Sequence, residues 1–117
     1  MKIIKDNISI IELKQLAQSK FGDFVKAVVD VHEGIMAIDA ELHSDEEALL
    51  IEKGSRQKDL WGINIYPDLK AADRIEFDSM INIKPSQGNR IRGINDPKIR
   101  EQILMIVNGL VKDDLST

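Results

Sequence analysis

Apolar and polar positions change period several times along the chain, and each change marks an element. Leu13, Leu16, Ala17 and Phe21 recur at helical spacing. Ser9 and Glu12 form an S-x-x-E capping box ahead of them, with Ile8 and Leu13 at the staple positions. Gly22 predicts the stop. The period then drops to two in FVKAVVDVHEGIMAIDAELH, which predicts a hairpin with Glu33-Gly34 at its tip. That register pairs Val31 with Met36, Val29 with Ile38, Ala27 with Ala40 and Val25 with Leu42, all apolar and all on one face. The other face pairs Lys26 with Glu41 and Val28 with Asp39. A one-residue slip would mix the faces, so the burial pattern selects against it.

Ser44 to Glu47 reads as a second capping box, with Ser44 as cap of a short helix closed by Gly54. LWGINIYP alternates again and predicts a strand carrying Trp61, Ile63 and Ile65 on one side. Arg74 to Lys84 predicts its partner, with Ile75, Phe77, Ile81 and Ile83 on one side and a bend near Ser79. Asp96-Pro97 opens the last helix as N-cap and first residue. Its buried stripe is Ile99, Ile103, Ile106, Val107 and Leu110, and Gly109 weakens its end.

This order predicts an α+β fold: a four-stranded antiparallel sheet built from two hairpins. The N- and C-terminal helices pack on its apolar face, and a short helix joins strands two and three. The opposite face is expected to be solvated or covered by something polar. Residues 1–117 make a single domain, with fraying expected over 112–117.

Composition narrows the class. Hydrophobic content of 43% and charged content of 31% fit a folded globular chain rather than a disordered one. Net charge of -4 argues against a general nucleic-acid binder while leaving room for a local basic loop, and no DNA-binding motif is present. The chain has no cysteine, which excludes disulfides, thiolate nucleophiles and cysteine zinc sites. Charges break every apolar run in MKIIKDNISIIELKQL, so no signal peptide and no membrane span is expected. The expected location is cytoplasmic.

Against that acidic background, KPSQGNRIRG stands out as basic and polar. Lys84, Arg90 and Arg92 supply charge for an anion, and guanidinium groups grip oxyanions bidentately. Ser86, Gln87 and Asn89 add polar donors, and Gly88 and Gly93 let backbone approach closely. The loop runs into a helix N-terminus, which favours negative charge. A phosphate, a nucleotide or an RNA backbone is the matching ligand. Two features oppose it: Asp96 already caps that helix, and the glycines follow neither a Walker nor a Rossmann spacing. The alternative is a structured connection whose arginines pair with surface acids.

A second set is Asp30, Asp39, Glu41 and His43, whose oxygen and imidazole donors suit a divalent metal. Asp78 and Asn82 would join them from the fourth strand. The alternative is a solvated acidic sheet face, with Glu41 answered by Lys26. His32 and His43 are candidate general bases, yet neither has a nucleophile at motif spacing. Trp61 reads more readily as core than as a base-stacking platform.

The strings VKAVVDV, GIMAI, ELHSDEEALL, GSRQKDLWGINIYP, IEFDSMINIKPSQGNRIRG and DPKIREQI occur in this order. Together they resemble a small prokaryotic family classed as a domain of unknown function, number fifty-six seventy-four. The resemblance runs roughly from Ile3 to Val111. It implies a stand-alone cytoplasmic domain of bacteria or archaea, carries no assigned activity, and directs attention to ELH and QGNR. Three readings of function follow. The first is a domain binding a phosphate-bearing ligand, nucleotide or RNA, through the basic loop. The second is a metal-dependent phosphoester hydrolase. The third is a protein-interaction module, for instance a homodimer through a sheet edge.

Overall fold

In a computed structural model describing residues 1–113, the predicted hairpin forms between β3 (Val25–Asp30) and β4 (Ile35–Ile38). Its register differs from the expected one by two residues: Val29 faces Met36 and Ala27 faces Ile38. The turn holds residues 31–34 instead of two. Asp30 builds it, its Oδ1 accepting from the amides of His32 at 2.9 Å and Glu33 at 3.0 Å. Gly34 closes it at φ +72°, donating to the Asp30 carbonyl. A two-residue shift conserves the side-chain parity, so the predicted apolar face survives the error.

Three further elements agree with their local signals. Ser9 Oγ accepts from the Glu12 amide at 3.0 Å and opens α1 (Ile10–Ser19). Asp96 Oδ1 accepts from the Lys98 amide at 2.9 Å and opens α3 (Pro97–Leu110). Strand β5 (Leu60–Ile65) is buried along its whole length.

The sheet has five strands, not four. The additional strand, β1 (Lys2–Ile4), lies at the edge beside β4, with Ile3 opposite Ala37. A three-residue run flanked by charge is too short to show a period. The antiparallel order is β1, β4, β3, β5, then β6 (Ile75–Glu76). A separate parallel pair joins β2 (Ile8–Ser9) to β7 (Val111–Lys112), which ties the start of α1 to the end of α3. Lys112 is thus paired with Ser9, while most of the segment expected to fray, residues 114–117, lies outside the described residues.

As expected, α1 and α3 pack on one face. Leu13, Ala17, Ile103 and Val107 meet Ala27, Val29, Met36, Ile38, Trp61 and Ile63 there. The opposite face, expected to be solvated or covered by something polar, has an apolar cover instead. It is covered by α2 (His43–Glu52), whose Leu50 packs with Val28, Ala37 and Leu60 in a second apolar cluster. Ser44 is not the cap of α2. Leu42 occupies that position without any side-chain hydrogen bond. Glu46 turns inward instead, its Oε2 accepting from the Ala40 amide at 3.1 Å.

The expected long strand from Arg74 to Lys84 is also corrected. Pairing with β5 ends after Ile75 and Glu76. The chain then turns inward at Ser79 and makes a 3-10 turn over Met80–Asn82. Phe77 consequently joins the core under α1 and α3, while Ile81 joins the cluster under α2. The inward turn needs Gly62, where a Cβ would stand 2.5 Å from Ser79 Cβ.

Candidate functional site

The basic loop is held from inside. Lys84 and Asn89 exchange backbone hydrogen bonds of 2.7 and 3.1 Å, closing a turn through Pro85–Gln87 and the left-handed Gly88. Asn89 is buried, and its amide nitrogen donates to the carbonyls of Asn82, Ile91 and Gly93. Its Oδ1 accepts from the Asn95 amide at 2.8 Å. Lys84 also points inward. Its ammonium donates to the carbonyls of Gln57 and Leu60, each at 2.6 Å, and lies 4.3 Å from the centre of the Trp61 ring. Burial lowers its pKa to about 8. Gln87 bonds the Lys58 carbonyl at 3.1 Å. Of the six residues expected to grip an anion, Lys84, Gln87 and Asn89 therefore spend polar groups on the fold. Ser86 and Arg90 are exposed, and Arg92 pairs with Asp78 through Nε at 2.6 Å.

The four residues expected to hold a metal do not converge. Asp30 serves the hairpin turn and accepts from Ser55 Oγ at 2.6 Å. Asp39, at φ +70°, pairs with Lys20 at 3.2 Å. Glu41 is exposed, and Lys26 donates to its backbone carbonyl at 2.9 Å rather than to its carboxylate. His43 is turned inward, its Nε2 lying 2.7 Å from the Ile63 carbonyl. Asp39 and Glu41 border one groove of about 460 Å³ with Asp45 and Glu52. Among the described residues no three His, Cys, Asp or Glu stand close enough to share a metal ion.

One member of each set does meet the other. His43 and Arg92, far apart in sequence, line a common cleft of about 160 Å³ with Lys26, Ser44 and Ser79. These five residues come from four segments of the chain. Lys26 stands on β3, His43 and Ser44 open α2, Ser79 leads the 3-10 turn, and Arg92 closes the basic loop. Leu42 caps α2 without a side-chain hydrogen bond, and among the described residues the first-turn amides of His43 and Ser44 have neither an intrahelical nor a side-chain acceptor. Burial is the main force lowering the His43 pKa below 6.5; Lys26 and Arg92 add to it, and the Ile63 carbonyl and Asp78 oppose it. The Nε bond to Asp78 leaves the Arg92 terminal nitrogens for another acceptor.

A second groove beside the loop, of about 360 Å³, is bordered by Gln87, Gly88, Asn95, Asp96 and Trp61. Its charged wall is the Asp96 carboxylate, which repels an anion. The smaller cleft is lined by Lys26 and Arg92 and by no carboxylate. Lys26 and Ser44 line this cleft without a sequence signal that points to it. Ser44 was assigned to capping, and Lys26 to an ion pair with Glu41.

The fold is α+β, with an antiparallel sheet covered on both sides and a cleft lined by Lys26 and Arg92 at the start of α2. The family model described as protein of unknown function DUF5674 matches residues 2–110, and the chain belongs to that family. No curated protein and no solved structure matches it. Among the described residues, no helix is long and apolar enough to cross a membrane.

Proposed function

We propose that the protein binds a phosphate-bearing ligand, such as a nucleotide, with the phosphate seated between Lys26, His43, Ser44 and Arg92. The observation that carries this reading is the uncapped start of α2 opening on the same cleft as two cations. A helix N-terminus and an arginine each favour an oxyanion, and their convergence adds the two effects. The basic loop contributes through Arg92, while Lys84 and Asn89 hold the loop that carries it.

Amide chemical shifts on titration with inorganic phosphate, a nucleotide and a short single-stranded RNA, with and without magnesium, test this reading. Saturable shifts at Lys26, His43, Ser44 and Arg92 are expected. Arg92→Ala should weaken binding by roughly 1.5–3 kcal/mol, the worth of one hydrogen bond to a charged group. Shifts confined to Ser86–Gly88, or affinity unchanged by Arg92→Ala, would overturn it.

A further inference from the structure

The chemistry of His43 sorts phosphate esters from one another. We infer that the cleft takes a terminal phosphomonoester in preference to an internal phosphodiester, with His43 Nδ1 as the group that distinguishes them. This rests on the reading of the cleft as a phosphate site. The Ile63 carbonyl, 2.7 Å from Nε2, can only accept, so Nε2 carries the proton. In the neutral ring Nδ1 is then a lone pair. His43 is 8% exposed and lines the cleft, and Nδ1 has no hydrogen-bond partner among the described residues.

The surroundings keep the ring neutral near pH 7. Lys26 faces it from β3 and Arg92 from the basic loop, and both disfavour an imidazolium. Asp78, from the segment after β6, and the Ile63 carbonyl of β5 favour one, but burial outweighs them. An incoming ligand therefore meets two cations, free helix amides and one acceptor. A phosphodiester is a monoanion without a proton, and its free oxygens only accept. It would set an oxygen lone pair against Nδ1. A phosphomonoester has a second pKa of about 6 and still carries an O–H in part of its population near neutrality. That O–H donates to Nδ1, or its proton moves there to give an imidazolium beside a dianion. Either arrangement turns a repulsive contact into a hydrogen bond.

Size points the same way. About 160 Å³ is well below the roughly 300–1,000 Å³ of pockets that enclose a whole small molecule. A terminal phosphoryl enters such a notch by its end, whereas a diester must lead chain out on both sides. The remainder of the ligand would rest on the rim, where Leu42 is 54% and Met80 63% exposed. Those side chains suit an apolar or aromatic group. Because the proton is part of the complex, monoester affinity should fall as pH rises past the second phosphate pKa of about 6.

The test compares inorganic phosphate, a nucleoside 5′-monophosphate and the 3′,5′-cyclic phosphate of the same nucleoside. Calorimetry would be run at about pH 6.5 and about pH 8, alongside nitrogen shifts of the His43 ring in the unmodified protein. The expected result is binding of the first two, with the cyclic diester about tenfold or more weaker, as for one lost charge-assisted hydrogen bond. The His43 Nδ1 resonance should move toward the protonated form only with the monoesters. His43→Gln should narrow the difference between esters. Equal binding of monoester and diester, with Nδ1 unmoved, would overturn the inference and leave the phosphate site standing. Binding of none of the three would remove the site and the inference together.

Discussion

Asn82 grips the main chain of Gly62 with both ends of its side-chain amide. Gly62 N donates to Asn82 Oδ1 at 2.8 Å, and Asn82 Nδ2 donates to the Gly62 carbonyl at 2.9 Å. These are the bonds a neighbouring strand would make, supplied where β6 has already ended. The same Nδ2 also donates to the Arg92 carbonyl at 2.9 Å, so one buried side chain joins β5 to the loop that lines the cleft.

Asn82→Ala should therefore destabilise the fold by about 2–4 kcal/mol, since it orphans buried backbone groups as well as deleting bonds. Urea unfolding measures the loss. Phosphate affinity should fall with it under conditions where the variant is still folded, because Arg92 loses its anchor. A loss below about 0.5 kcal/mol would mean that water replaces the amide.

Gly62→Ala tests the close approach from the other side. Its Cβ would stand 2.5 Å from Ser79 Cβ and 2.6 Å from Ser79 Oγ, so the Ser79 segment must move. Overpacking of this kind costs about 1–3 kcal/mol. Ser79→Gly in the same background should recover part of the loss, measured by thermal unfolding of the single and double variants. Absence of any recovery would locate the strain elsewhere.

Glu46 gives the fold a pH dependence of definite sign. It is fully buried on the inner face of α2, and burial pushes its carboxyl from 4.5 up to about 9. The folded chain thus keeps a proton that the unfolded chain releases above 4.5. The stabilisation is complete below that value and is lost as pH rises toward 9. His43 depresses stability only on the acid side of 6.5, and Lys84 acts only above about 8. Between about pH 6.5 and about pH 8, stability should fall by about 2 kcal/mol in the natural chain. Glu46→Gln should be nearly flat over that window, since glutamine keeps an acceptor for the Ala40 amide. Denaturant titrations at both pH values read the difference, and parallel curves for the two proteins would refute the assignment.

Lys84 is a structural tie. Its ammonium meets two carbonyls and the Trp61 face. Lys84→Met keeps the stem volume but leaves the carbonyls of Gln57 and Leu60 short of a donor. The expected loss is about 1–3 kcal/mol. Phosphate affinity of the folded variant should change less than twofold. A large affinity change without loss of stability would return Lys84 to the binding surface.

How much of this was readable depends on the range of the interaction. The Ser9–Glu12 cap, the Asp96–Pro97 helix start and the faces of the β3–β4 hairpin were readable because each rests on residues a few positions apart. The hairpin register was not, because the Asp30 carboxylate can build a four-residue turn that leaves the same faces apolar. Alternation over Arg74 to Lys84 was misleading for a related reason. Period two describes any extended chain, and the partner here is a glycine backbone that accepts a serine and an amide in place of a strand.

The candidate site divides along the same line. Residue chemistry singled out His43 and Arg92, since imidazole and guanidinium stand out wherever they occur. Their meeting in one cleft, and the withdrawal of Lys84 and Asn89 into the fold, depend on contacts between segments far apart in the chain. Local sequence carries capping and periodicity because those energies act within a turn or a strand. The cleft exists because α2 covers the second face of the sheet and Gly62 admits Ser79 beneath it, and no local pattern encodes either contact.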